Sequence, residues 1–341
     1  MSHIDVHQIN DQHTWETFVL GRPEANFLQS WNWGQFHHHL GKKVFYLGVF
    51  DQDILVGVAL IVKEEAKRGH YLTIAGGPLI DWQNSNITTS LFASLKDLAN
   101  REHCFFVRLR PQILDTPENH LLIQKLGLKL SPMHLTADLT LQLDLSQTSD
   151  QLLSQMRKST RYDIRRADKL GITVTTSQDP QDIKLFYKIQ LDVAHKHHFV
   201  PFSYQWLHQQ FLSFVADNQV VLFSAHQSQH LLASAFIIFY GQEAVYHYGI
   251  STPENRNLPG SHAVLWAAIQ EAQSRGITRF NFWGIAPEGK THHRFAGVSL
   301  FKRGFGGLEV AYLPAHDLPT SPLYQATKTF ETLRSKLRHL S

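Results

Sequence analysis

VFYLGVF at residues 44–50, a polar DQD, then ILVGVALIV at 54–62 read as two strands joined by a tight turn, because two apolar runs flank a short polar loop. The pattern returns as VVLFSA at 220–225, HQSQ, and HLLASAFIIF at 230–239. Each hairpin is followed by an amphipathic helix and a further apolar run. After the first come SLFASLKDLANRE, with Leu91, Leu95 and Leu98 on one face, and CFFVRLRP. After the second come HAVLWAAIQEAQSRG, with Leu265, Ile269 and Ala272 on one face, and ITRFNFWGI. Corresponding pieces lie about 175–180 positions apart, too long a period for a solenoid, so the chain reads as one mixed α+β domain built twice.

The composition agrees. A chain of 341 residues, 43% hydrophobic and 18% charged, is long enough for two compact cores. The strand-like DLTLQLDL gives way to SQTSD near Leu143 to Asp150, which places a domain boundary there, with Ser149 or Asp150 as the cap of the next helix. After Tyr312, LPAHDLPTSP is a Pro-rich break and PLYQATKTFETLRSKLRHL a closing basic helix, a tail able to pack back onto the first domain. The apolar runs fall short of the ~20 residues that cross a bilayer. MSHIDVHQIND lacks a basic-then-apolar leader, so a cytoplasmic protein without a signal peptide is expected. The lone Cys104, inside CFFV, excludes an internal disulfide and reads as a buried thiol.

Net charge is only +3, but RKSTRYDIRRADK from Arg157 to Lys169 holds six bases against two acids. At helical spacing Arg157, Arg161 and Arg165 form one stripe and Lys158, Tyr162 and Arg166 its neighbour. The segment expects an anionic partner; a solvated helix face is the plain alternative. The indoles of WNWGQF, Trp33 among them, suit either a core or stacking on a base or sugar. His37 to His39, His195, His197, His198, His292 and His293 lack a Cys pair or HExxH spacing, so no metal site is expected. RNLPG from Arg256 to Gly260 leads into a helix and suits either a plain turn or a phosphate-facing loop.

FLQSWNWGQF (27–36), RYDIRRADKLGITV (161–174), YHYGISTPENRNLPG (246–260) and SLFKRGFGG (299–307) together resemble the Fem aminoacyltransferases, FemA, FemB and FemX, which build peptidoglycan cross-bridges. The resemblance runs in the family's order over nearly the whole chain. It implies two tandem acetyltransferase-like (GNAT-type) domains in the compact FemX form, without a coiled-coil arm, since no sustained heptad stretch occurs. By the same likeness the first domain spans 1–145 and the second 146–313, and residues 314–341 form a C-terminal helix that rejoins the first.

The activity it implies is transfer of an amino acid (Gly, Ala or Ser) from aminoacyl-tRNA to the stem-peptide amine of a peptidoglycan precursor. Aminoacyl-tRNA is then a co-substrate, and no resident cofactor is expected. The partner is a muramyl-pentapeptide, nucleotide- or lipid-linked, with peripheral contact at the inner membrane face. An aminoacyl ester is already activated, so such a site needs mainly positioning and charge control. Lys302 becomes the catalytic candidate, stabilising the oxyanion and the leaving oxygen, with Phe301 shaping the pocket. Arg161, Tyr162 and Arg165 match the RYxIR pattern and become polyanion contacts, extended by Arg303. Trp33 and Gln35 border the acceptor site, with Gln35 near the place of a phosphate-binding lysine in FemX. Phe202 and Trp206 stand where relatives have an arginine and a tyrosine; Tyr248, Arg256 and Trp283 complete the expected contacts. Arg110 stands where relatives often have an acid and Asn281 where many have Asp, so no carboxylate base is assigned. An acyl-CoA-dependent N-acyltransferase of the same duplicated fold, for which RNLPG is the hint, and a non-catalytic polyanion-binding protein remain as rivals.

Overall fold

The computed structural model describes residues 4–66, 69–197, 200–253, 257–290 and 293–337. The chain divides into two compact units, residues 1–138 with 311–341, and residues 139–310. The first holds β1 (Ile4–Gln8), α1 (Gln12–Leu20), α2 (Trp31–His39), β2 (Val44–Asp51), β3 (Ile54–Ala66), β4 (Gly69–Ala75), α3 (Ser85–Arg101), β5 (Phe106–Arg110), α4 (Pro117–Lys125) and β6 (Lys129–Leu130). The second holds β7 (Leu139–Asp144), α5 (Ser149–Gln155), α6 (Lys158–Lys169), β8 (Ile172–Ser177), α7 (Ile183–His197), α8 (Tyr204–Val215), β9 (Val220–Gln227), β10 (His230–Tyr240) and β11 (Glu243–Ser251). It continues through α9 (Gly260–Ser274), β12 (Arg279–Gly284), α10 (Ala296–Arg303) and β13 (Leu308–Ala311). The chain then returns to the first unit with β14 (His316–Pro319) and α11 (Tyr324–Leu337).

Each unit is built on a seven-stranded sheet, ordered β1-β2-β3-β4-β5-β14-β6 in the first and β8-β9-β10-β11-β12-β7-β13 in the second. The pairing repeats as well: four antiparallel strands, one parallel step (β4 with β5, β11 with β12), then an antiparallel strand. The two predicted hairpins are β2–β3 and β9–β10. Leu91, Leu95 and Leu98 of α3 are buried in one core with Leu72, Ile74, Val107 and Leu109. Leu265, Ile269 and Ala272 of α9 are buried in the other with Ile237, Phe280 and Phe282. Each large side chain so buried is worth roughly 1.5–3 kcal/mol. Among the described residues no coiled-coil arm interrupts the second unit.

Two expectations shift. The run DLTLQLDL does not end the first unit: as β7 it inserts beside β12, with Leu143 opposite Phe280 and Leu141, Leu143 and Leu145 in the second core. The units therefore change between Asp138 and Leu139, earlier than 145/146, and Thr148, not Ser149 or Asp150, caps α5 in a reciprocal box with Gln151. The tail from 314 is not helix throughout either. His316–Pro319, inside the Pro-rich break, is β14, which separates β5 from β6 and registers Asp317 opposite Arg108. Its polar sequence conceals a strand because a buried ion pair fixes it: Arg108 donates from Nε to Asp317 Oδ1 at 2.7 Å and from Nη2 to Oδ2 at 2.9 Å. In both sheets the sixth strand thus comes from outside the run of chain that builds the first five.

Candidate active site

In the second unit the parallel step is incomplete. β11 and β12 pair only along Glu243–Val245 and Arg279–Asn281; beyond them β11 stays with β10 while Gly284 of β12 pairs with Thr140. Backbone hydrogen bonds leave a gap past Val245, and the polar and aromatic candidates gather around it. A bulge in β11 sets Tyr248 opposite Phe236 and Tyr246 opposite Ile237, with His247 as the extra residue. Tyr246 and Tyr248 therefore leave the strand on opposite faces. Tyr246 packs against the core beneath α9, whereas Tyr248 meets Phe236 edge-on at 5.5 Å between ring centroids.

Trp283, in the irregular step of β12 between Asn281 and Gly284, lies in the left-handed region, at φ 64°. For a bulky side chain this conformation costs about 1–3 kcal/mol, and Asn281 holds it. Asn281 Oδ1 accepts from the Trp283 N–H at 2.8 Å, while its Nδ2 donates to Glu243 Oε1 at 3.1 Å, a carboxylate that Arg279 Nε also reaches at 2.8 Å. Asn281 is a buried structural residue. The Trp283 indole stands edge-on to His247 at 5.5 Å, and burial pushes that imidazole down to about 3, so it is neutral.

α10 clamps the segment that follows β12. Ser299 Oγ accepts from the Ala286 N–H at 2.7 Å, Arg303 Nη2 donates to Ala286 O at 2.7 Å, and Lys302 Nζ donates to Gly284 O at 2.8 Å. Lys302 is only 7% exposed, with its Nζ 5.6 Å from the centre of the Tyr246 ring. Among the described residues no carboxylate stands within ion-pair distance of it. A carbonyl and a π face compensate a buried cation only in part. Burial pushes the Lys302 ammonium down to about 7 and the Tyr246 phenol up to about 12. The result is an amine that is part neutral at physiological pH and held by fixed partners.

Several expected contacts meet at this gap. Phe202 stacks on Trp206 at 5.8 Å and lies 5.0 Å from Tyr248. Trp206 Nε1 donates to the Tyr248 hydroxyl at 3.0 Å, which donates to Gln210 Oε1 at 3.0 Å. This cluster lies on the Tyr248 face, and Lys302 on the Tyr246 face.

Others are placed differently from their expected roles. Phe301 turns away from Lys302 to pack edge-on against His262 at 5.0 Å and Phe305 at 5.5 Å. Arg161 caps α5, its Nη1 donating to Ser154 O at 2.8 Å and Met156 O at 2.6 Å, so that guanidinium is committed within the fold. Arg303, besides holding Ala286, is paired with Glu309 at 2.6 Å. Tyr162 and Arg165 remain exposed on α6. In the first unit Trp33 is buried edge-on to Phe27 at 5.4 Å, and Gln35 Nε2 donates to the Tyr46 hydroxyl at 3.3 Å. Arg110 is buried, with Nε donating to Thr136 at 2.6 Å. Arg256, with His198 and His292, lies outside the described residues.

Sequence reasoning missed Tyr246, His247 and the Gly284 carbonyl. YHYGI and FNFWG carry them, but no spacing rule links either run to Lys302; only the parting of β11 from β12 does. Among the described residues no three His, Cys, Asp or Glu side chains converge to hold a metal ion.

Comparison with known proteins adds to this geometry. A family model described as the FemAB family matches residues 11–121, 124–226 and 218–332. The aminoacyltransferase FemA of Staphylococcus epidermidis is 31% identical over 110 residues, 32% of this chain and 26% of that protein, so the chain aligns with about a quarter of that relative's length. The lipid II:glycine glycyltransferase of Staphylococcus saprophyticus subsp. saprophyticus is 23% identical over 398 aligned positions, covering 94% of each. Among solved structures, FemX superposes with a TM-score of 0.84 at 18% identity, over 94% of this chain and 99% of that one. A tandem GNAT protein from the clavulanic acid biosynthesis pathway follows at 0.61 and 10% identity, over 94% and 99%. The fold is accordingly two tandem GNAT-type domains.

Proposed function

The chain belongs to the FemAB family, and on that premise we propose that it transfers an amino acid, Gly, Ala or Ser, from aminoacyl-tRNA to the stem-peptide amine of a nucleotide- or lipid-linked muramyl-pentapeptide. The observation that carries this reading is Lys302, a buried amine with a pKa near 7 beside the gap between β11 and β12. Peptide-bond formation from an ester needs that type of group. The acceptor amine attacks the ester carbonyl carbon, a C–N bond forms, and the C–O bond to the ribose breaks. The nitrogen must shed a proton and the ribose oxygen must gain one. A neutral Lys302 takes the first, and the ammonium it becomes stabilises the oxyanion and returns a proton to the leaving oxygen. Gly284 O and the Tyr246 ring hold Nζ in place through both steps. The exposed Lys158, Tyr162, Arg165 and Lys169 of α6 suit the phosphate backbone of the tRNA.

The test incubates purified protein with total aminoacyl-tRNA and a lysine-containing muramyl-pentapeptide, free or lipid-linked, and in parallel with acetyl-CoA, and reads products by mass spectrometry. A gain of one amino-acid residue that disappears after RNase treatment is expected. Gain from the thioester alone makes the protein an acyl-CoA-dependent N-acyltransferase and overturns the proposal.

A further inference from the structure

The two tyrosines of YHYGI have different fates. Burial raises the pKa of Tyr46, Tyr246, Tyr248 and Tyr324. Three of these hydroxyls donate inside the fold: Tyr46 to Trp31 O at 2.9 Å, Tyr248 to Gln210 Oε1 at 3.0 Å and Tyr324 to Asp317 Oδ2 at 3.3 Å. The Tyr246 hydroxyl makes no hydrogen bond among the described residues. A phenol set into a core ordinarily finds a partner for its O–H, so an open donor beside a reactive amine calls for a ligand.

Gly249 places that donor. Tyr246 stands opposite Ile237 and Gly249 opposite Ala235, so both leave β11 on the same face. The Tyr246 ring packs on the second core, and its hydroxyl end reaches back over Gly249, which is exposed. A Cβ added at Gly249 would overlap the hydroxyl oxygen. The backbone at Gly249 is not left-handed, so the missing side chain makes room for the phenol and is not demanded by a turn.

Lys302 Nζ stands over the face of the same ring, 5.6 Å from its centre, and donates to Gly284 O. One ring thus fixes a nitrogen above its face and an oxygen at its edge, neither bonded to the other, next to the place where β11 and β12 part. As the acceptor amine forms its C–N bond, the carbonyl electron pair moves onto oxygen, and that charge needs a donor that stays in place while Lys302 carries protons. We propose that the Tyr246 hydroxyl donates a hydrogen bond to this oxyanion and that Gly249 holds the hydroxyl where it can do so. No proton changes hands in this contact: the pair returns to the carbonyl as the C–O bond to the ribose breaks. With the phenol pushed up to about 12 and the amine down to about 7, Tyr246 stays protonated over the range in which Lys302 titrates. This role rests on the aminoacyl transfer proposed above.

The experiment compares the full-length parent with Tyr246→Phe, Gly249→Ala and the double variant, by steady-state kinetics with aminoacyl-tRNA and muramyl-pentapeptide over a pH series and by thermal melting. Tyr246→Phe keeps the ring under Lys302, so kcat is expected to fall about 10²–10³-fold, the range for one oxyanion donor, with KM unchanged and the pH midpoint still near 7. Its melting temperature should equal the parent's, because the hydroxyl has no bond in the fold to lose. Gly249→Ala displaces the hydroxyl and should lower kcat at least about tenfold, while the double variant is no slower than Tyr246→Phe alone. Full activity of Tyr246→Phe beside an active parent overturns the inference and leaves aminoacyl transfer standing. A loss that falls on KM, moves the pH midpoint or lowers the melting temperature also overturns it, making Tyr246 a binding or structural residue. A parent that transfers nothing from aminoacyl-tRNA overturns both.

Discussion

The two units share a sheet order and a parallel step, yet treat a buried cation in opposite ways. In the first, β4 and β5 stay paired over Leu72–Ala75 and Val107–Arg110, and Arg108 of β5 is enclosed by Asp317 and Glu331. In the second, β11 and β12 part after Asn281, and Lys302 beside the gap has a carbonyl and an aromatic face but, among the described residues, no counter-charge. Ion pairing keeps an arginine charged and inert. Burial without ion pairing leaves a lysine ready to exchange a proton near neutral pH. The comparison teaches that a duplicated fold can close one copy's strand junction with an ion-paired anchor and open the other's beside a buried lysine.

The sharpest way to break this contrast is at Lys302. Lys302→Met is expected to lower kcat/KM by two to four orders of magnitude, the range for a positioned acid–base group. Lys302→Arg should not rescue it, because a guanidinium does not deprotonate. For the parent, kcat/KM should rise with pH through about 7 as Lys302 loses its proton. A flat profile between pH 6 and 8, or a fully active methionine variant, removes Lys302 from this role.

The anchor should fail by stability. Asp317→Asn leaves a buried charge partly uncompensated and should destabilise the protein by roughly 3–5 kcal/mol in chemical unfolding, since Asp317 is wholly buried and held by two guanidinium contacts. Glu331→Gln should cost less, because Arg108 keeps its bidentate partner. An Asp317→Asn variant as stable as the parent would make the ion cluster energetically idle.

Lys302 should show the converse. Its folded pKa, near 7, lies below the 10.5 of the unfolded chain, so below pH 7 the fold carries a protonated, buried ammonium with no counter-charge among the described residues. That cost is relieved as pH rises from 7 toward 10.5, where the unfolded state binds the extra proton. Lys302→Met is therefore expected to be more stable than the parent by roughly 2–4 kcal/mol at pH 6, with the gap narrowing by pH 9. Equal melting temperatures at both pH values would argue against a strained lysine.

What was legible in the sequence divides along the same line. Periodicity exposed the hairpins and the faces of α3 and α9, because those elements are held by apolar burial, which leaves a pattern. It missed β14, where Pro314 precedes and Pro319 ends a strand secured by an ion pair, and it assigned β7 to the wrong unit, because alternation reports a buried face and not whose core buries it. Lys302 stood out through its FKRGFGG motif. Its burial, its bond to Gly284 and its position over Tyr246 depend on a bulge at His247 and a left-handed Trp283, neither of which has a residue signature.

The smallest effect concerns the charge that faces water. RKSTRYDIRRADK reads as one basic stripe, but the structure divides it: Arg161 spends its donors on the carbonyls that end α5, while Lys158 and Arg165 are free to meet a polyanion. A cation already hydrogen-bonded inside the fold releases little bound salt when nucleic acid arrives, and an exposed one releases nearly a full counterion. Lys158→Ala with Arg165→Ala should therefore flatten the slope of log K against log salt for tRNA by about 1.5, the value for two lost phosphate contacts. Arg161→Ala should leave that slope nearly unchanged and cost about 1 kcal/mol of stability through the lost cap. The two variants, compared by filter binding over a salt series and by urea unfolding, separate a stripe that binds from one that only folds. A slope lost with Arg161 alone would reverse the assignment and make the cap secondary.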